Sequence, residues 1–590
     1  MSEPSTPTSS SSSPSLSSIE TPPPPGTPPN LHQNTIDPQA KWLVQKYGGT
    51  SVGKFASQIA ENIVPDYLDR HKLAIVCSAR SGSTKALGTT NLLLRAASEA
   101  LQRPPPASSP PQSGAATPLT DSLICRSSRT GSPPGTPGSF AEQCTGSFSK
   151  TVDLILSEHV AAARACVNRK KLLAELETEI VRDCENLRAF LSATQVIDEI
   201  SPRSKDSIVG FGEKLGCKII AAVLRDRGID AEYVSLESVV PPHDEVDGTL
   251  GQDFYDRVSD AFAERIRQCK PRVPVVTGFF GPVPDSLLKQ VGRGYTDLAA
   301  ALLAAGLGAS ELQIWKEVDG IFTADPRKVL TARLIPVISP EEAAELTYYG
   351  SEVVHPFTME QVIRRKIPIR IKNVENPRGG GTVIDPEADL ESPESSPLSD
   401  FDSSSPFVDG ILSNGVVNGA GTPHQRLPTA VTIKERIVVL NVQSNRKSVS
   451  HGFLAGIFGT LDRFGVVVDL ISTSEVFVSM AIEDVLDRKL QARLVRDLEK
   501  IGIVSVHRDM AILSMVGKQM RNMVGIAGRM FTTLAQGNVN IEMISQGANE
   551  INISCVIDGR DAVKALNLIH QSCLQIKPEG LKGRVGPWLF

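Results

Sequence analysis

Two hydrophobic patterns alternate along residues 41–384, and this alternation constrains the fold more than any other feature of the sequence. Strand-like apolar runs such as 42–46 (WLVQK), 73–79 (LAIVCSA) and 273–280 (VPVVTGFF) are separated by helix-like stretches such as 172–191. Strands that alternate with helices predict a sheet whose faces are covered by helices. We therefore expect an α/β fold in this part of the chain.

A shorter pattern occurs twice in the C-terminal part of the chain. Strand-like and helix-like runs follow one another in the same order over residues 431–506 and again over 507–580. This repeat predicts two tandem βαββαβ units, because each copy supplies strands and helices of suitable length in that order.

Three low-complexity tracts separate or interrupt these regions. We predict a disordered Ser/Pro-rich tail over residues 1–40, an insertion over 103–140, and a linker over 385–430. Such compositions cannot bury enough apolar surface to offset the entropy of ordering the backbone.

Charge and cysteine content exclude several classes of protein. The chain carries 61 basic and 66 acidic residues without a long basic cluster, so we expect no nucleic-acid partner. The sequence shows no apolar stretch of membrane-spanning length, so we also expect no membrane partner. Its 9 cysteines form no C-x-x-C pair and no zinc spacing, which favours reduced thiols and a cytoplasmic location.

A basic, glycine-rich turn follows the first strand-like run. It reads KYGGTSVGK from Lys46 to Lys54. Adjacent glycines let backbone amides approach an anion, and a helix N-terminus with two lysines adds positive potential, so the turn suits a polyphosphate. The spacing is not that of a P-loop, and a structural turn without a ligand fits the same residues.

Two further motifs lie downstream of this turn. Residues 292–297 read GRGYTD before an apolar helix-like stretch, and residues 315–327 read WKEVDGIFTADPR. In this order the three motifs resemble those of the aspartate kinases of the amino-acid kinase family, of the monofunctional fungal type. The resemblance covers about residues 41–384 and 430–577. It implies an amino-acid-kinase catalytic domain, a three-layer αβα sandwich, over 41–384, followed by ACT domains of ferredoxin-like fold over 431–506 and 507–580.

The resemblance also implies the reaction, in which ATP and L-aspartate give ADP and 4-phospho-L-aspartate. Phosphoryl transfer depends on positioning and charge neutralisation, and the attacking carboxylate is already ionised at neutral pH, so we assign no general base. We expect Mg²⁺ to enter with the nucleotide, held by phosphates and water, and no protein metal site.

Roles are carried over where residues match the family. The catalytic residues implied are Lys46 and Asp297. Those implied for ATP are Lys46, Gly48, Gly49, Ser51, Lys316, Glu317, Phe322, Asp325 and Arg327. Those implied for aspartate are Thr50, Thr90, Glu213, Arg293 and His355. The sequence departs from bacterial relatives at Lys316, Glu317 and Glu352, where they often have Thr, Asp and Lys.

Most of these residues also have a plain structural interpretation. The planar guanidinium of Arg293 suits a carboxylate, but an ordinary ion pair fits it too. Glu213 would select an α-ammonium, or it would be a solvated glutamate. Asp297 and Thr90 fit helix caps, and His355 fits a structural histidine.

The ACT resemblance implies an allosteric amino acid and a homo-oligomer formed through exposed sheet edges. The residues implied for the effector are Ser450, Gly452, Phe453, Leu454, Val468, Asp469, Ser474 and Glu475. Asp469 could pair with the effector ammonium, although caps and turns account for most of these positions without a ligand. The fungal likeness favours threonine over lysine as the effector.

Two other functions compete with this one. A kinase of glutamate or N-acetylglutamate is the first, and Arg293 with Glu213 favours a free amino acid over an acetylated one. An amino-acid sensor without turnover is the second, and the intact Lys46 turn, Arg293 and Asp297 disfavour it. We expect no fused homoserine dehydrogenase, because no dinucleotide-binding fingerprint follows the repeats.

Overall fold

The computed structural model describes residues 31–82, 84, 87–102, 147–240, 250–281, 283, 286–350, 354–388, 427–444 and 452–576. The predicted insertion and most of the predicted linker lie outside these residues, as do the first 30 residues of the predicted tail. The predicted limits of the domains stay a prediction.

The end of the predicted tail is packed against the first domain. His32 forms an isolated parallel bridge with Ile229. The buried Asn34 donates from Nδ2 to the Leu73 carbonyl at 3.0 Å and accepts from the Leu73 N–H at 2.9 Å. His32 and Asn34, near the end of the predicted tail, therefore contact the first domain, because the Asn34 amide bonds to the backbone of Leu73 as a peptide group would.

The strands and helices of the first domain alternate as the sequence predicts. The strands are β1 (Trp42–Tyr47), β2 (Lys72–Cys77), β3 (Ala231–Val234), β4 (Val273–Thr277), β5 (Glu311–Lys316), β6 (Val337–Ile338), β7 (Ile369–Asn373) and β8 (Thr382–Ile384). The helices are α1 (Gly49–Lys54), α2 (Ala56–Gln58), α3 (Pro65–Leu68), α4 (Thr89–Ala100), α5 (Ser147–Cys166), α6 (Lys170–Ile197), α7 (Pro202–Asp226), α8 (Gln252–Arg267), α9 (Leu287–Gln290), α10 (Tyr295–Leu307), α11 (Pro340–Tyr348) and α12 (Pro356–Ile363). A π-helical turn, Ile59–Ile63, joins α2 to α3, and a 3₁₀ helix, Gly292–Gly294, precedes α10.

These strands form one 8-stranded sheet in the order β3-β4-β2-β1-β5-β7-β8-β6. Neighbouring strands are parallel except for β7 and β8. Helices cover both faces of the sheet. Neighbouring residues of β1 point to opposite faces, so that Leu43 packs in the core beside α4–α7 and Val44 packs in the core beside α8 and α10. The three-layer αβα sandwich is confirmed.

The C-terminal region forms a second, antiparallel sheet. Its strands are β9 (Ala430–Ser444), β10 (Val468–Thr473), β11 (Phe477–Glu483), β12 (Gly502–Val516), β13 (Met543–Gln546) and β14 (Asn552–Asp558). Its helices are α13 (Phe453–Arg463), α14 (Arg488–Glu499), α15 (Ile526–Gln536) and α16 (Ala562–Cys573). The 6 strands lie in the order β10-β11-β9-β12-β14-β13.

Two long strands pass from one repeat to the other. Residues 437–443 of β9 pair with β11, and residues 439–444 of β9 pair with 502–507 of β12. Residues 430–434 of β9 pair instead with 512–516 of β12. In each strand, one residue with a left-handed backbone conformation lies where the pairing passes from one repeat to the other. These residues are Arg436, at φ 59°, and Asp509, at φ 56°. The first C-terminal unit is therefore built from 437–507. The second C-terminal unit is built from 510–573 together with residues 430–434, which precede the first unit in the chain.

Candidate active site

The carboxyl ends of the four central strands meet at one edge of the 8-stranded sheet. The chain leaves β1 towards β2 on one side, while β5 lies on the other side of β1. Ligands of open α/β sheets bind in the crevice formed where the strand order reverses in this way. The motifs that follow β1 and β5 lie at this edge.

Lys46 brings an ammonium group to the edge. It is the penultimate residue of β1, on the face covered by α10, and its Nζ lies 2.7 Å from Oδ1 of Asp297 in the first turn of that helix. The two side chains are 9% and 19% exposed. The structure therefore brings together the two residues predicted as catalytic, in a partly dry place where an ammonium neutralises phosphate charge effectively.

The glycine turn packs closely against the segment that follows β2. The Ser81 N–H donates to the Gly49 carbonyl at 2.8 Å, and a Cβ at Gly49 would lie 2.6 Å from the Ala79 carbonyl oxygen. A side chain at Gly49 would thus force the two segments apart. Ser51, fully buried in α1, donates to Oε1 of Glu317 at 3.0 Å, so two residues predicted to bind ATP contact each other across β1 and β5.

Glu213 is a buried carboxyl at the same edge. From α7 it accepts hydrogen bonds from the Thr296 hydroxyl at 2.8 Å and from the Phe279 N–H after β4. Burial raises the pKa of Glu213 to about 7, against the opposing effect of hydrogen bonds from Thr296, Tyr295 and Phe279 and of the Lys46 charge. Glu213 is therefore not a solvated glutamate, and it changes charge near neutral pH.

A cleft of ≈ 400 Å³ opens between the glycine turn and the start of α4. It is lined by Thr50, Lys54, Ala79, Arg80, Ser81, Gly82, Thr84, Gly88, Thr89, Thr90 and Asn91. Thr50 and Thr90, both predicted for aspartate, therefore share one cavity. Sequence reasoning missed Arg80 and Ser81, although basic and hydroxyl side chains directly after a central strand are a usable signal.

His159 is a third residue that sequence reasoning missed. It is buried on α5, with Nε2 3.4 Å from the Thr89 hydroxyl and Nδ1 2.7 Å from the Ile155 carbonyl. Burial lowers the pKa of His159 to about 4, so the ring is neutral near pH 7. It supports the threonine pair at the start of α4, where Gly88 is the N-cap.

Other predicted residues occupy less central positions. His355 is exposed and caps α12, its Nδ1 accepting from the Phe357 N–H at 3.3 Å, which is the structural role that the sequence left open. Arg293 lies in the 3₁₀ helix before α10. Glu352 and Ser450 lie outside the described residues.

The segment between β5 and β6 carries the remaining residues predicted for ATP. Lys316 is the last residue of β5, and Phe322 forms an isolated bridge with Leu334. Nε and Nη2 of Arg327 each lie 3.0 Å from the Asp325 carboxylate, and the Arg327 side chain is 88% exposed. This pair lies at the surface and is not buried in the sheet edge.

Those predicted effector residues that the structure describes lie in the first C-terminal unit. Gly452, at φ 82°, is the N-cap of α13, Phe453 is buried in the unit's core beside Val468, and Leu454 is 43% exposed. Ser474 and Glu475 are exposed in the turn between β10 and β11.

Asp469 already has a partner within the protein. Nζ of Lys434 on β9 lies 2.7 Å from Asp469 Oδ1 and 3.5 Å from Glu483 Oε2. An effector ammonium at Asp469 would therefore compete with Lys434 or join the pair.

The described residues contain neither a membrane-spanning helix nor a cluster of metal ligands. No helix within them is long and apolar enough to cross a membrane. In the same ranges, no three His, Cys, Asp or Glu side chains cluster in a way that could hold a metal ion.

Comparisons with known proteins agree with the geometry. The model of the amino acid kinase family matches residues 41–373, and an ACT domain model matches residues 513–573. An aspartokinase of Schizosaccharomyces pombe is 48% identical over 539 residues, which are 91% of this chain and 94% of that protein.

Solved structures give the same result. E. coli aspartokinase III in complex with aspartate and ADP (R-state) aligns with TM-score 0.62 at 25% identity, covering 90% of this chain and 99% of that one. The same enzyme in complex with lysine and aspartate (T-state) aligns with TM-score 0.64, at the same identity and coverage.

Proposed function

Because the chain belongs to the aspartokinases of the amino acid kinase family, we propose that it transfers the γ-phosphoryl group of ATP to the side-chain carboxylate of L-aspartate. The products are ADP and 4-phospho-L-aspartate. The observation that carries this proposal is the Lys46–Asp297 pair, 2.7 Å long, placed beside the buried carboxyl of Glu213 at the reversal point of the sheet.

In the proposed reaction an oxygen of the substrate carboxylate forms a bond to the γ-phosphorus. The bond from that phosphorus to the β,γ-bridging oxygen breaks, and ADP leaves with the electron pair. Lys46 neutralises charge on the transferring group, while the backbone at Gly48 and Gly49 lies against the phosphates. No residue has to remove a proton, because the attacking carboxylate is ionised.

Recognition of aspartate is assigned to two charged groups. Ionised Glu213 attracts the α-ammonium, and Arg293 takes the α-carboxylate through its planar guanidinium. An acetylated amino group would bring no positive charge to Glu213, so a free amino acid fits this site better than N-acetylglutamate does.

Mg²⁺ is proposed to accompany ATP. The described residues offer Asp297 near Lys46, and the ion would be held mostly by phosphate oxygens and water. When bound, Mg²⁺ supplies charge neutralisation of the phosphates. Asp297 orients the Lys46 ammonium and is the protein carboxylate nearest to it.

Regulation is proposed to act through the first C-terminal unit, with threonine favoured over lysine as the effector. The E. coli relative was solved with lysine, so lysine is the specific competitor to test. Exposed apolar side chains of that unit, including Leu454, Phe458 and Val476, support a homo-oligomer. The reaction would be the first step of the route to threonine, methionine and isoleucine. We place it in the cytoplasm, where cysteines stay reduced, and the seven described cysteines form no disulfide.

The test measures ADP release by the full chain with ATP, Mg²⁺ and L-aspartate, with and without millimolar threonine or lysine. Lys46→Ala should reduce kcat by about 10²-fold or more, since it removes the charge that faces the transferring group. Lys41→Ala, which removes an exposed lysine directly before β1, is the matched control and should leave kcat unchanged.

Each alternative gives a different result in this assay. Phosphorylation of glutamate in place of aspartate would assign the chain another substrate in the family. Absence of turnover with every amino acid, together with binding of threonine or lysine, would identify a sensor. Inhibition by lysine alone would overturn the threonine proposal.

A further inference from the structure

The segment between β5 and β6, residues 317–336, is folded onto the second C-terminal unit as well as onto its own sheet. Ala324 and Val329 are 3% and 0% exposed, and both belong to the hydrophobic core formed by β12, α15 and α16. The Val431 N–H donates to the Thr323 carbonyl at 2.9 Å. We call this segment the β5–β6 loop. Its shape depends on the unit that it contacts.

One side chain of the second C-terminal unit lies between the two arms of this loop, the first of which contains Thr323 and the second Thr331 and Arg333. His570 on α16 is fully buried, with Nε2 2.9 Å from the Thr323 hydroxyl and Nδ1 3.3 Å from the Thr331 hydroxyl. A neutral imidazole has one donor and one acceptor nitrogen, so it can satisfy both hydroxyls. Burial lowers the pKa of His570, and the nearby charge of Arg333 lowers it further, which keeps the ring neutral.

The same threonine closes the loop on itself. The Thr323 hydroxyl accepts from the Arg333 N–H at 2.9 Å, and the Thr323 N–H donates to the Arg333 carbonyl at 2.8 Å. His570 therefore contacts the loop at the point where its two arms are joined. A second contact from the same helix, Asn567 Nδ2 to the Lys328 carbonyl at 3.1 Å, holds the tip.

The other end of the loop reaches the glycine turn. Glu317, the first residue after β5, accepts from the Ser51 hydroxyl at 3.0 Å. A short series of contacts thus runs from α16 through Thr323 and the loop backbone to Glu317 and Ser51.

We propose that His570 is a positioning residue through which the second C-terminal unit holds the β5–β6 loop in the conformation that binds ATP. A rearrangement of that unit then changes the affinity for nucleotide rather than for aspartate. This inference rests on the proposed function, because it takes the loop to line the nucleotide.

The decisive variant is His570→Leu, which keeps a similar volume but removes the imidazole that bonds to the Thr323 and Thr331 hydroxyls. KM for ATP should rise roughly five- to thirty-fold, as expected for the loss of one or two buried hydrogen bonds. KM for aspartate should stay within about twofold. His570→Gln, whose amide can reach the Thr323 hydroxyl, should recover most of the loss.

Ser572→Ala is the matched control. Ser572 lies on the same helix, and its hydroxyl bonds to the Thr533 hydroxyl on α15 at 2.8 Å rather than to the loop. It should leave both KM values unchanged. Thr323→Val removes the hydroxyl that bonds to His570, and it serves as a second variant if His570→Leu does not fold.

A second readout separates this inference from the proposed function. Amide hydrogen exchange of residues 321–333 in the full-length chain should be faster in His570→Leu than in wild type, and unchanged in Ser572→Ala. If wild type phosphorylates no aspartate, the proposed function fails. Amide exchange still shows whether His570 holds the β5–β6 loop in place. Unchanged exchange, or equal rises in both KM values, would overturn the inference.

Discussion

Replacing Glu213 by glutamine should make the stability of this protein less sensitive to pH. Burial raises the pKa of Glu213 from 4.5 to about 7 in the folded chain, whereas the unfolded chain ionises at the lower value. The contribution of Glu213 to stability is therefore fully present below pH 4.5 and is lost as the pH rises through about 7. The size of this loss follows from the pKa difference, at 1.36 kcal/mol for each pH unit, and is about 3 kcal/mol.

The assay compares the free energy of unfolding in urea for wild type and Glu213→Gln from about pH 4.5 to pH 9. Glutamine cannot ionise, and its single carbonyl can accept from the Thr296 hydroxyl or the Phe279 N–H but not ideally from both. We expect the variant to be less stable by about 1 kcal/mol at the acidic end, because one buried hydrogen bond is lost. Relative to wild type it should then gain about 3 kcal/mol by the alkaline end.

Glu264→Gln, at an exposed position of α8, is the control for the loss of one carboxylate. Its difference from wild type should not change with pH. A constant difference for Glu213→Gln would refute the reasoning, since the buried carboxyl would then not titrate with a raised pKa. The same titration should appear in activity, with kcat/KM for aspartate rising through about pH 7 in wild type but not in Glu213→Gln.

Two further predictions follow from close packing and from buried charge. Gly49→Ala should reduce kcat/KM for ATP at least tenfold, because its Cβ would lie 2.6 Å from the Ala79 carbonyl oxygen. Gly251→Ala is the control and should keep wild-type kinetics, because there is open space around Gly251. Lys218→Met should lower the free energy of unfolding by about 3 kcal/mol, because it leaves the Asp183 carboxylate, 2.6 Å from Lys218 Nζ, buried without its partner. Adding Asp183→Leu should restore most of that stability, and a double variant as unstable as the single one would contradict this account of the pair.

The sequence predicted the local elements well because their signals are local. Apolar runs gave the strands of both sheets, and the order of three motifs gave the family and the enzyme, which the comparisons confirm. The roles of single residues stay predictions, although Lys46, Asp297 and Glu213 do lie at one edge of the sheet. His355 shows the limit of a motif, since its side chain caps a helix and is exposed.

The sequence by itself determined which segments become strands and helices. Its signals for them, hydrophobic periodicity and turn residues, depend only on residues a few positions apart. Only the tertiary structure decided which strands become neighbours. Residues 430–434 pair with 512–516, and His570 contacts Thr323 across 247 positions, since buried apolar faces select partners irrespective of their separation in the chain. The site is likewise formed by groups from β1, α7 and α10, and neither the raised pKa of Glu213 nor its closeness to Lys46 exists until those elements pack together.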